Sequence, residues 1–310
     1  EILALQKEYE ECLEKIAKYE RILGSKKEMA KVIKADLLKI KKEYALPRKT
    51  QIEDAKAVVL EEKKVQEQEV MFIMDRFGYA KTIDMSAYER NKEAVHNENR
   101  YVFSCMNTDK ICIFTDNGSL HQIKVLDIPF TRFRDKGTPI DNLGNYDSSG
   151  ENILYLTPFE QLKGKKMLFM TKLGMAKLVD TSEFEVSKRT VAATKLQEDD
   201  LLVGIYVTDA VKEVFSRFSL DGEEMIVSSQ HVIVQTADGY FLRFPLSDVP
   251  EKKKGAVGVR AIKLTGKDTV EDVYLLTQGD ELTIEYRGKN VDFARLKMAH
   301  RDTKGTKIRV

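Results

Sequence analysis

Residues 167–174 read Met-Leu-Phe-Met-Thr-Lys-Leu-Gly, an apolar run followed by a turn that ends in glycine. Similar runs precede Gly78, Gly118 and Gly239, and a weaker copy surrounds Gly288. Short β-branched and aromatic runs broken by glycine turns are typical of antiparallel strands. The turns are followed, at similar distances, by a second set of short strands. These strands lie at 139–143, 193–196, 261–264 and 307–310.

Self-similarity of this kind predicts a repeat architecture for residues 70–310. Each repeat has roughly 40 to 65 residues and about four strands, and one such sheet cannot bury both of its faces until neighbouring sheets stack around a ring. We therefore predict a mainly β fold, a β-propeller or β-pinwheel with about five four-stranded blades. Six blades are the alternative.

The first 44 residues have a helical period instead. Apolar residues recur at alternating steps of three and four, which predicts a coiled-coil seam. The seam residues are Ile2, Leu5, Tyr9, Cys12, Ile16, Tyr19 and Leu23. We expect the first helix to end at Gly24 in a left-handed cap, and Ser25 with Glu28 to form a capping box for a second helix that ends near Tyr44. Residues 45–69 carry many charges and few large apolar groups, and we interpret them as a linker or strap.

Composition restricts the class of protein. A hydrophobic content of 42% can supply a sizeable core, and neither a membrane-spanning run nor a signal-peptide pattern occurs, so we expect a cytoplasmic protein. The three cysteines are too scattered for a disulfide framework or a zinc site, and we expect buried thiols. The four histidines are scattered too, so we expect no metal site. The net charge of +1 means that any DNA must bind a one-sided patch.

Several motifs resemble the C-terminal region of the A subunits of DNA gyrase and topoisomerase IV, the bacterial type IIA DNA topoisomerases. They are Ile22-Leu23-Gly24-Ser25, the run Arg-Lys-Thr-Gln-Ile at 48–52, Phe241-Leu242-Arg243-Phe244, and Gly-Val-Arg-Ala-Ile-Lys-Leu at 258–264. The resemblance covers essentially the whole chain in the same order and spacing. It implies a coiled-coil end followed by a β-pinwheel whose rim bends duplex DNA and presents it to a cleavage gate elsewhere in the subunit.

The same resemblance implies that this part of the subunit has no catalytic residue. The cleavage tyrosine of the family lies upstream of the coiled coil, and none of the 12 tyrosines here has that context. No phosphate-binding glycine-lysine loop occurs, so we expect no cofactor in this chain. In the parent assembly, ATP and Mg²⁺ are expected to act through other domains and the B subunit, and the A subunit is expected to be a homodimer.

Two departures from the gyrase pattern affect the choice within the family. Gyrase carries a basic box, Gln-Arg-Arg-Gly-Gly-Lys-Gly, in its first blade. Residues 88–96 here lack the paired arginines and both glycines, which favours a topoisomerase IV-like enzyme that relaxes and decatenates DNA. In addition, the fifth turn, Glu285-Tyr286-Arg287-Gly288, is one residue short, which leaves the closure of the ring open.

The predicted DNA-binding residues lie in equivalent loops of successive repeats, which would share one edge of the ring. They are Arg132, Arg134, Lys136, Lys188, Arg189, Lys195, Lys252, Lys253, Lys254, Arg260, Lys263, Arg301, Lys304 and Lys307, together with Arg243. Such a track can neutralise phosphates without reading bases. Gly137, Gly255, Gly258 and Gly305 would let the backbone approach the phosphates closely. Two alternatives stay open: a gyrase-type DNA-wrapping domain, and a protein-binding propeller scaffold, which the near-neutral charge favours.

Overall fold

The structure is a computed structural model that describes residues 1–46, 50, 66–209, 218–220, 223–225, 230–277 and 279–309. The chain divides into a helical unit, residues 1–64, and a β unit, residues 65–310. Most of the predicted linker, including the motif at 48–52, lies outside the described residues. The linker therefore stays a prediction.

The helical unit contains α1 (Ile2–Gly24) and α2 (Lys26–Tyr44). The predicted helix ends are right, but the predicted caps are wrong. Gly24 belongs to α1 without a left-handed φ, and the helix breaks at Ser25, whose backbone is extended (φ −132°, ψ 113°). The Ser25 side chain makes no capping hydrogen bond, and Glu28 instead accepts from Lys31 Nζ at 2.6 Å. An extended residue between two helices is enough to end one helical ladder and start another.

The apolar seam of α1 is exposed along its length, with Leu5 73% and Leu23 72% exposed. Cys12 lies on this seam and is exposed, so the expectation of a buried thiol is wrong at this position. Neither helix buries a residue. The coiled-coil pairing therefore stays a prediction. None of the helices in the described part of the chain has the length and apolar character needed to cross a membrane.

The β unit begins with a hairpin, two short helices and a long series of further strands. Its helices, α3 (Met85–Arg90) and α4 (Lys92–Glu98), lie between the second and third strands. The strands are β1 (Glu69–Asp75), β2 (Tyr79–Asp84), β3 (Asn99–Met106), β4 (Lys110–Thr115), β5 (Ser119–Lys124), β6 (Thr138–Pro139), β7 (Ile153–Pro158), β8 (Lys165–Thr171), β9 (Met175–Asp180), β10 (Thr190–Ala192), β11 (Leu202–Asp209), β12 (Phe218–Leu220), β13 (Glu223–Met225), β14 (Gln230–Thr236), β15 (Tyr240–Pro245), β16 (Val259–Arg260), β17 (Val270–Thr277), β18 (Thr283–Tyr286), β19 (Lys289–Asp292) and β20 (Thr306–Lys307).

These strands form four four-stranded antiparallel sheets, which we number as blades 1 to 4. Their strand orders are β3-β1-β2-β6, β7-β4-β5-β10, β11-β8-β9-β16 and β17-β14-β15-β20. The fifth repeat forms only the hairpin β18-β19 in the described part of the chain, so the prediction of four strands in that blade is wrong. The strands β12 and β13 form a separate small hairpin. The turn glycines Gly78, Gly118, Gly174, Gly239 and Gly288 all have positive φ, which explains why glycine marks every repeat.

A sequence repeat is not the same unit as a blade. Strand β6 follows β4 and β5 along the chain but pairs with β2 of the preceding blade. Strands β10, β16 and β20 likewise pair with β5, β9 and β15. Each of these repeats thus gives one short strand to the blade before it. The sequence analysis treated each repeat of about four strands as one blade, and this exchange corrects that interpretation. The exchanged strands also link consecutive blades through the backbone.

The core lies between the blades, because alternate residues of each hairpin point to opposite neighbours. Phe72 of blade 1 packs with Ile111 and Ile113 of blade 2. On the other face of blade 2, Phe114 packs against Phe169 of blade 3, with ring centroids 6.3 Å apart. The strands β3, β7, β11 and β17 contact one another, so they lie towards the centre of the stack. The exchanged strands β6, β10, β16 and β20 are at the opposite ends of the sheets and form the rim.

Two cysteines are part of this core. Cys105 packs between blades 1 and 2, and Cys112 between blades 2 and 3. Burial raises the pKa of both thiols to about 12. The expectation of buried thiols is therefore confirmed for these two residues.

The first repeat differs from the others in the segment after its hairpin, where the other repeats contain a rim strand. Residues 85–98 form α3 and α4 instead, and these helices cover the face of blade 1 that points away from blade 2. Tyr88 and Val95 are buried there against Met71, Ile73 and Ile83. The first repeat therefore gives no strand to another blade within the described residues.

Candidate nucleic-acid interface

The rim loops are fixed to the preceding blade at both ends. The loops on blades 1, 3 and 4 start with a parallel bridge, which joins Thr82 to Phe130, Leu178 to Glu251 and Arg243 to Met298, respectively. Each of these loops ends in the antiparallel rim strand, β6, β16 or β20. A loop held at both ends keeps a defined path, so the side chains that it carries have defined positions.

Glycines place three of these loops directly on the blade. A Cβ on Gly137, Gly258 or Gly305 would lie 2.6 Å from the carbonyl oxygen of Ala80, Ala176 or Phe241, respectively. The close approach seen at these glycines is to the neighbouring strand. Their predicted approach to phosphates stays a prediction. Gly255 has nothing within 4 Å of such a Cβ and is open to solvent.

Successive rim segments are hydrogen-bonded to one another. Asn145 Nδ2 donates to Thr190 Oγ1 at 3.1 Å, which joins the segment after β6 to β10. The backbone amide of Lys195 donates to the Lys254 carbonyl at 3.2 Å, and that of Lys263 to the Thr303 carbonyl at 2.9 Å. These bonds join the rim segments 130–145, 184–196, 250–264 and 298–307 into a continuous surface, which we call the rim band.

Most of the predicted DNA-binding side chains are exposed on this rim band. Exposed positions are Arg132, Arg134, Lys136, Lys188, Arg189, Lys195, Lys253, Arg260, Lys263, Lys304 and Lys307. In the described part of the chain, ion pairs engage three of them. Arg189 lies 3.9 Å from Asp127, Lys253 3.3 Å from Glu183, and Arg260 3.3 Å from Asp302. Pairs this exposed contribute about 0 to 1 kcal/mol and can exchange an acidic partner for a phosphate.

The other four predicted residues donate side-chain hydrogen bonds to backbone carbonyls. Arg243 is half-buried and its guanidinium donates to the carbonyls of Phe293 (3.2 Å), Ala294 (2.8 Å) and Leu296 (3.4 Å), and contacts His231 Nδ1 at 3.0 Å. Its placement gives Arg243 a packing role and offers no support for a DNA contact.

The other three are half-buried as well. Lys252 Nζ donates to the Val257 carbonyl at 3.4 Å, and Lys254 Nζ to the Glu183 carbonyl at 2.6 Å. Arg301 bridges two repeats, because Nε donates to the Asp248 carbonyl at 2.9 Å and Nη1 to the Arg260 carbonyl at 3.1 Å. Their positive charge still contributes to the local field, but part of their donor capacity is engaged by backbone carbonyls.

Two tyrosines that the sequence analysis missed fix the direction of exposed lysines. Lys136 Nζ lies 4.1 Å from the centroid of the Tyr79 ring. Lys304 and Lys307 lie 4.6 Å and 5.3 Å from the centroid of Tyr240. Tyr79 and Tyr240 are the first strand residues after the turn glycines of blades 1 and 4, which is a signal that could have found them. Cation–π contacts of this kind are worth about 0.5 to 1 kcal/mol at exposed sites and hold the ammonium groups at the rim.

Histidine and acidic side chains form no metal site among the described residues, where no group of three His, Cys, Asp or Glu side chains could hold an ion. His121 is buried and lies 2.8 Å from the buried carboxylate of Glu151, and its other ring nitrogen is 3.0 Å from Thr190 Oγ1. The contact with Thr190 joins β5 to the rim strand β10, so His121 has a structural role.

Comparison with known proteins identifies three of the repeats. Residues 109–148, 165–209 and 230–277 match the family described as DNA gyrase C-terminal domain, beta-propeller. The DNA gyrase A protein of Lawsonia intracellularis is 30% identical over 286 residues, which are 88% of this chain and 33% of that protein. Its counterpart in Helicobacter pylori is 26% identical over 310 residues, 96% of this chain and 35% of that protein. The chain thus spans about a third of the length of these curated relatives.

Solved structures agree on the fold. A crystal structure of the C-terminal domain of DNA topoisomerase IV has a TM-score of 0.64 at 22% identity, covering 79% of this chain and 73% of that one. The E. coli ParC C-terminal domain has a TM-score of 0.59 at 17% identity, covering 78% and 94%. The predicted mainly β propeller fold and the predicted resemblance to the A subunits of gyrase and topoisomerase IV are confirmed.

Proposed function

Because residues 109–148, 165–209 and 230–277 match the DNA gyrase C-terminal β-propeller family, we propose that this chain binds duplex DNA along the rim band and bends it. The bent segment is presented to the cleavage core of a type II DNA topoisomerase for relaxation and decatenation. The chain itself acts by binding, without a catalytic residue of its own.

The continuity of the rim band is the observation that carries this proposal. Hydrogen bonds join four successive rim segments, and the exposed lysines and arginines follow that path. A duplex laid along a curved band makes phosphate contacts to several blades at once, which releases counterions at each contact. Bending 20 to 30 base pairs costs on the order of 1 to 6 kcal/mol, and contacts spread over several blades can offset that cost.

We propose that the chain belongs to the relaxing and decatenating class, because the segment of its first blade that corresponds to the gyrase basic box lacks the paired arginines and both glycines. Residues 88–96, which correspond to that box, belong mostly to α3 and α4, and Tyr88 and Val95 are buried against blade 1. The exposed residues of this segment are of mixed charge, with Glu89 and Glu93 beside Arg90 and Lys92. The alternative is a gyrase-type wrapping domain, which the names of the curated relatives favour.

The wider assembly follows from the same assignment. We propose that the parent A subunit is a homodimer in the cytoplasm that works with a topoisomerase B subunit. ATP and Mg²⁺ are used by other domains of the assembly and by the B subunit. The seam of α1 then pairs within the coiled coil of the parent protein, which would bury Leu5 and Leu23.

A salt titration tests DNA binding directly. The full chain is mixed with a duplex of about 100 base pairs, and the dissociation constant is measured between about 50 and 200 mM salt. We expect tight binding at low salt and an affinity that falls by about 10³ or more across this range, since several phosphates are contacted. No binding at low salt overturns the proposal and leaves the protein-binding scaffold as the alternative.

Ligation of nicked circular DNA in the presence of the chain separates the two topoisomerase classes. A relaxing and decatenating module bends DNA without a fixed hand, so we expect little or no change in linking number per bound chain. A change of constant sign that grows with the amount of bound chain would show chiral wrapping and would establish the gyrase-type alternative.

A further inference from the structure

Two lysines in the strands beside the rim strands are buried, although the mechanism of DNA binding makes no direct use of them. Lys177 in β9 is 1% exposed, and Lys81 in β2 is 8% exposed. A buried ammonium group is costly unless it is hydrogen-bonded, so each of these lysines must have a set of partners. Both occupy the third position after a turn glycine, Gly174 and Gly78, and both follow an alanine.

Each lysine is held by three backbone carbonyls of the rim loop that the next repeat lays over its blade. Lys177 Nζ donates to the carbonyls of Lys253 (3.1 Å), Lys254 (2.8 Å) and Ala256 (2.7 Å). We call these three carbonyls, with the equivalent set in blade 1, the carbonyl cages. An ammonium group has three donors, so one cage satisfies it completely.

The cage of blade 1 has the same spacing along the chain. Lys81 Nζ donates to the carbonyls of Arg132 (3.5 Å) and Asp135 (2.5 Å), and to that of Phe133 between them. In both cages the three carbonyls belong to residues i, i+1 and i+3 of the loop. These are residues 132, 133 and 135 in blade 1 and residues 253, 254 and 256 in blade 3. In both blades the glycine that touches the preceding strand, Gly137 or Gly258, follows the last of these carbonyls by two residues.

The even-numbered blades are built differently. Gln122 Nε2 of blade 2 donates to the carbonyl of Phe184 at 2.9 Å, and Arg243 of blade 4 donates to the carbonyls of 293, 294 and 296. These carbonyls belong to short 3-10 helices, Thr181–Phe184 and Phe293–Arg295, or directly follow one, and not to the basic part of a rim loop. The carbonyl cages are thus a device of blades 1 and 3.

We infer that Lys81 and Lys177 are positioning residues for the DNA-binding rim, each holding the carbonyls of one basic loop inwards so that its side chains face the DNA. This inference rests on the proposed function and names the residues that prepare the surface for it. The carbonyl oxygens are the negative ends of the peptide dipoles, and turning them towards a buried cation removes them from the surface that a phosphate approaches. The exposed side chains concerned are those of Arg132, Arg134, Lys136 and Lys253.

Burial also makes the charge of Lys177 sensitive to pH. Burial, with a smaller contribution from Lys252, lowers the pKa of Lys177 to about 8, while Glu183 acts in the opposite direction. Burial lowers the pKa of Lys81 too, against the effect of Asp135, Glu98 and Asp75. A neutral amine has two donors and a lone pair, so it can no longer satisfy three carbonyls.

The substitution Lys177→Met tests the inference, because methionine has a similar shape and no donor. The full chain with Lys177→Met is compared with Lys172→Met, which removes the same charge from the exposed turn of the same hairpin. Affinity for a duplex of about 100 base pairs is measured at fixed salt, and unfolding is followed by circular dichroism. We expect Lys177→Met to bind about tenfold more weakly than Lys172→Met, since the loop must be ordered when DNA binds.

A pH titration of binding separates positioning from a merely structural role and needs no variant to fold. For the wild-type chain we expect affinity to fall as the pH rises through about 8, towards the level of Lys177→Met. Lys177→Met itself should show no such step, and neither it nor the wild type should unfold in this range. If Lys177→Met does not fold, Lys81→Met provides the comparison of affinity at fixed pH in blade 1.

The outcomes distinguish this inference from the proposed function. If the wild-type chain binds DNA but neither lysine variant binds more weakly than Lys172→Met, and the wild type shows no step near pH 8, the inference is wrong and DNA binding stands. If the wild-type chain does not bind DNA at any pH, the proposed function itself is wrong.

Discussion

Gly258 shows how one residue fixes the position of a rim loop. A Cβ at this position would lie 2.6 Å from the Ala176 carbonyl oxygen and 2.9 Å from its carbon, so only glycine lets β16 reach β9. The backbone there does not need a left-handed φ, which means that space and not conformation decides the residue type. Gly137 meets Ala80 in the same way, whereas Gly305 both meets Phe241 at 2.6 Å and has a left-handed φ of 77°. The rim segments can therefore pack on the blades only because these three positions have no side chain.

We predict that Gly258→Ala lowers the free energy of unfolding by about 1 to 3 kcal/mol, because the added methyl group must push the rim strand off blade 3. Gly255→Ala is the matched control in the same loop, since a Cβ there has nothing within 4 Å. Its effect should stay within about 0.5 kcal/mol. Urea denaturation followed by circular dichroism measures both. Equal effects of the two substitutions would show that the close contact at Gly258 does not matter.

The buried charge of Lys177 predicts how stability depends on pH. The pKa is about 8 in the folded chain and near its ordinary value of 10.5 in the unfolded chain. Between these values the unfolded chain binds the extra proton, so the contribution of Lys177 to stability rises with pH in this window. Below pH 8 the lysine is charged in both states and its burial cost is present in full.

We therefore expect the free energy of unfolding of the wild-type chain, relative to Lys177→Met, to increase between pH 8 and pH 10.5. The increase should reach about 3.5 kcal/mol at most, from about 1.4 kcal/mol for each unit of the pKa difference between 10.5 and about 8. Denaturation of both chains at pH 7, 8, 9 and 10 measures it. A difference that stays constant across these pH values would contradict the lowered pKa.

At the scale of single elements, the chain exchanges strands between neighbouring blades. The turn glycines and the apolar runs before them were visible in the sequence, since positive φ and alternating burial each leave a residue-level mark. The destination of β6, β10, β16 and β20 was not visible. These strands have two or three residues, and the pairing of three of them depends on Gly137, Gly258 and Gly305 fitting against a strand from another repeat.

The candidate site was predicted to a similar extent. Basic residues in equivalent loops identified the rim, and eleven of the fifteen predicted positions are exposed there. The sequence could not distinguish these exposed residues from Arg243 or Arg301. Residue type alone does not show whether an arginine is in solvent or is half-buried and donates to carbonyls. Lys81 and Lys177 were missed for the converse reason. A lysine in a strand looks exposed until three carbonyls are found around it.

The helices α3 and α4 are an element that no periodicity predicted. Val95 of α4 is fully buried against Met71 and Ile73, so these helices act as a cover for the outer face of blade 1. We predict that Val95→Ala lowers the free energy of unfolding by about 1 to 3 kcal/mol, from lost burial and the cavity left behind. Glu93→Ala on the exposed side of α4 is the control and should change it by less than about 0.5 kcal/mol. Thermal and urea denaturation of both variants measure the difference, and an equal, small effect would mean that α4 does not cover the blade.

At the scale of the whole molecule, a chain with a net charge of +1 is proposed to bind a polyanion. The distribution of charge resolves this apparent conflict, because the hydrogen-bonded rim segments place basic side chains along one path. A near-neutral protein attracts DNA weakly from a distance but can bind it through many local contacts. Such binding should depend on how many loops one duplex reaches, and that dependence can be measured.

The pair Lys136 and Lys304 tests this reach, since these residues lie in the rim loops laid on blade 1 and blade 4 and each stacks on a tyrosine. On a duplex of about 100 base pairs, Lys136→Ala and Lys304→Ala should each weaken binding, and the slope of log K against log salt should fall by about 0.9 for each. Their effects should add in the double variant, because distant sites behave independently. On a duplex of about 15 base pairs, we expect either single substitution to have little effect, because a short duplex that contacts only part of the band can move to an intact loop. Lys124→Ala, at the exposed end of β5, is the control at both lengths. If the two substitutions fail to add on long DNA, or act equally on short DNA, the duplex contacts one loop only, and a curved path across several blades is excluded.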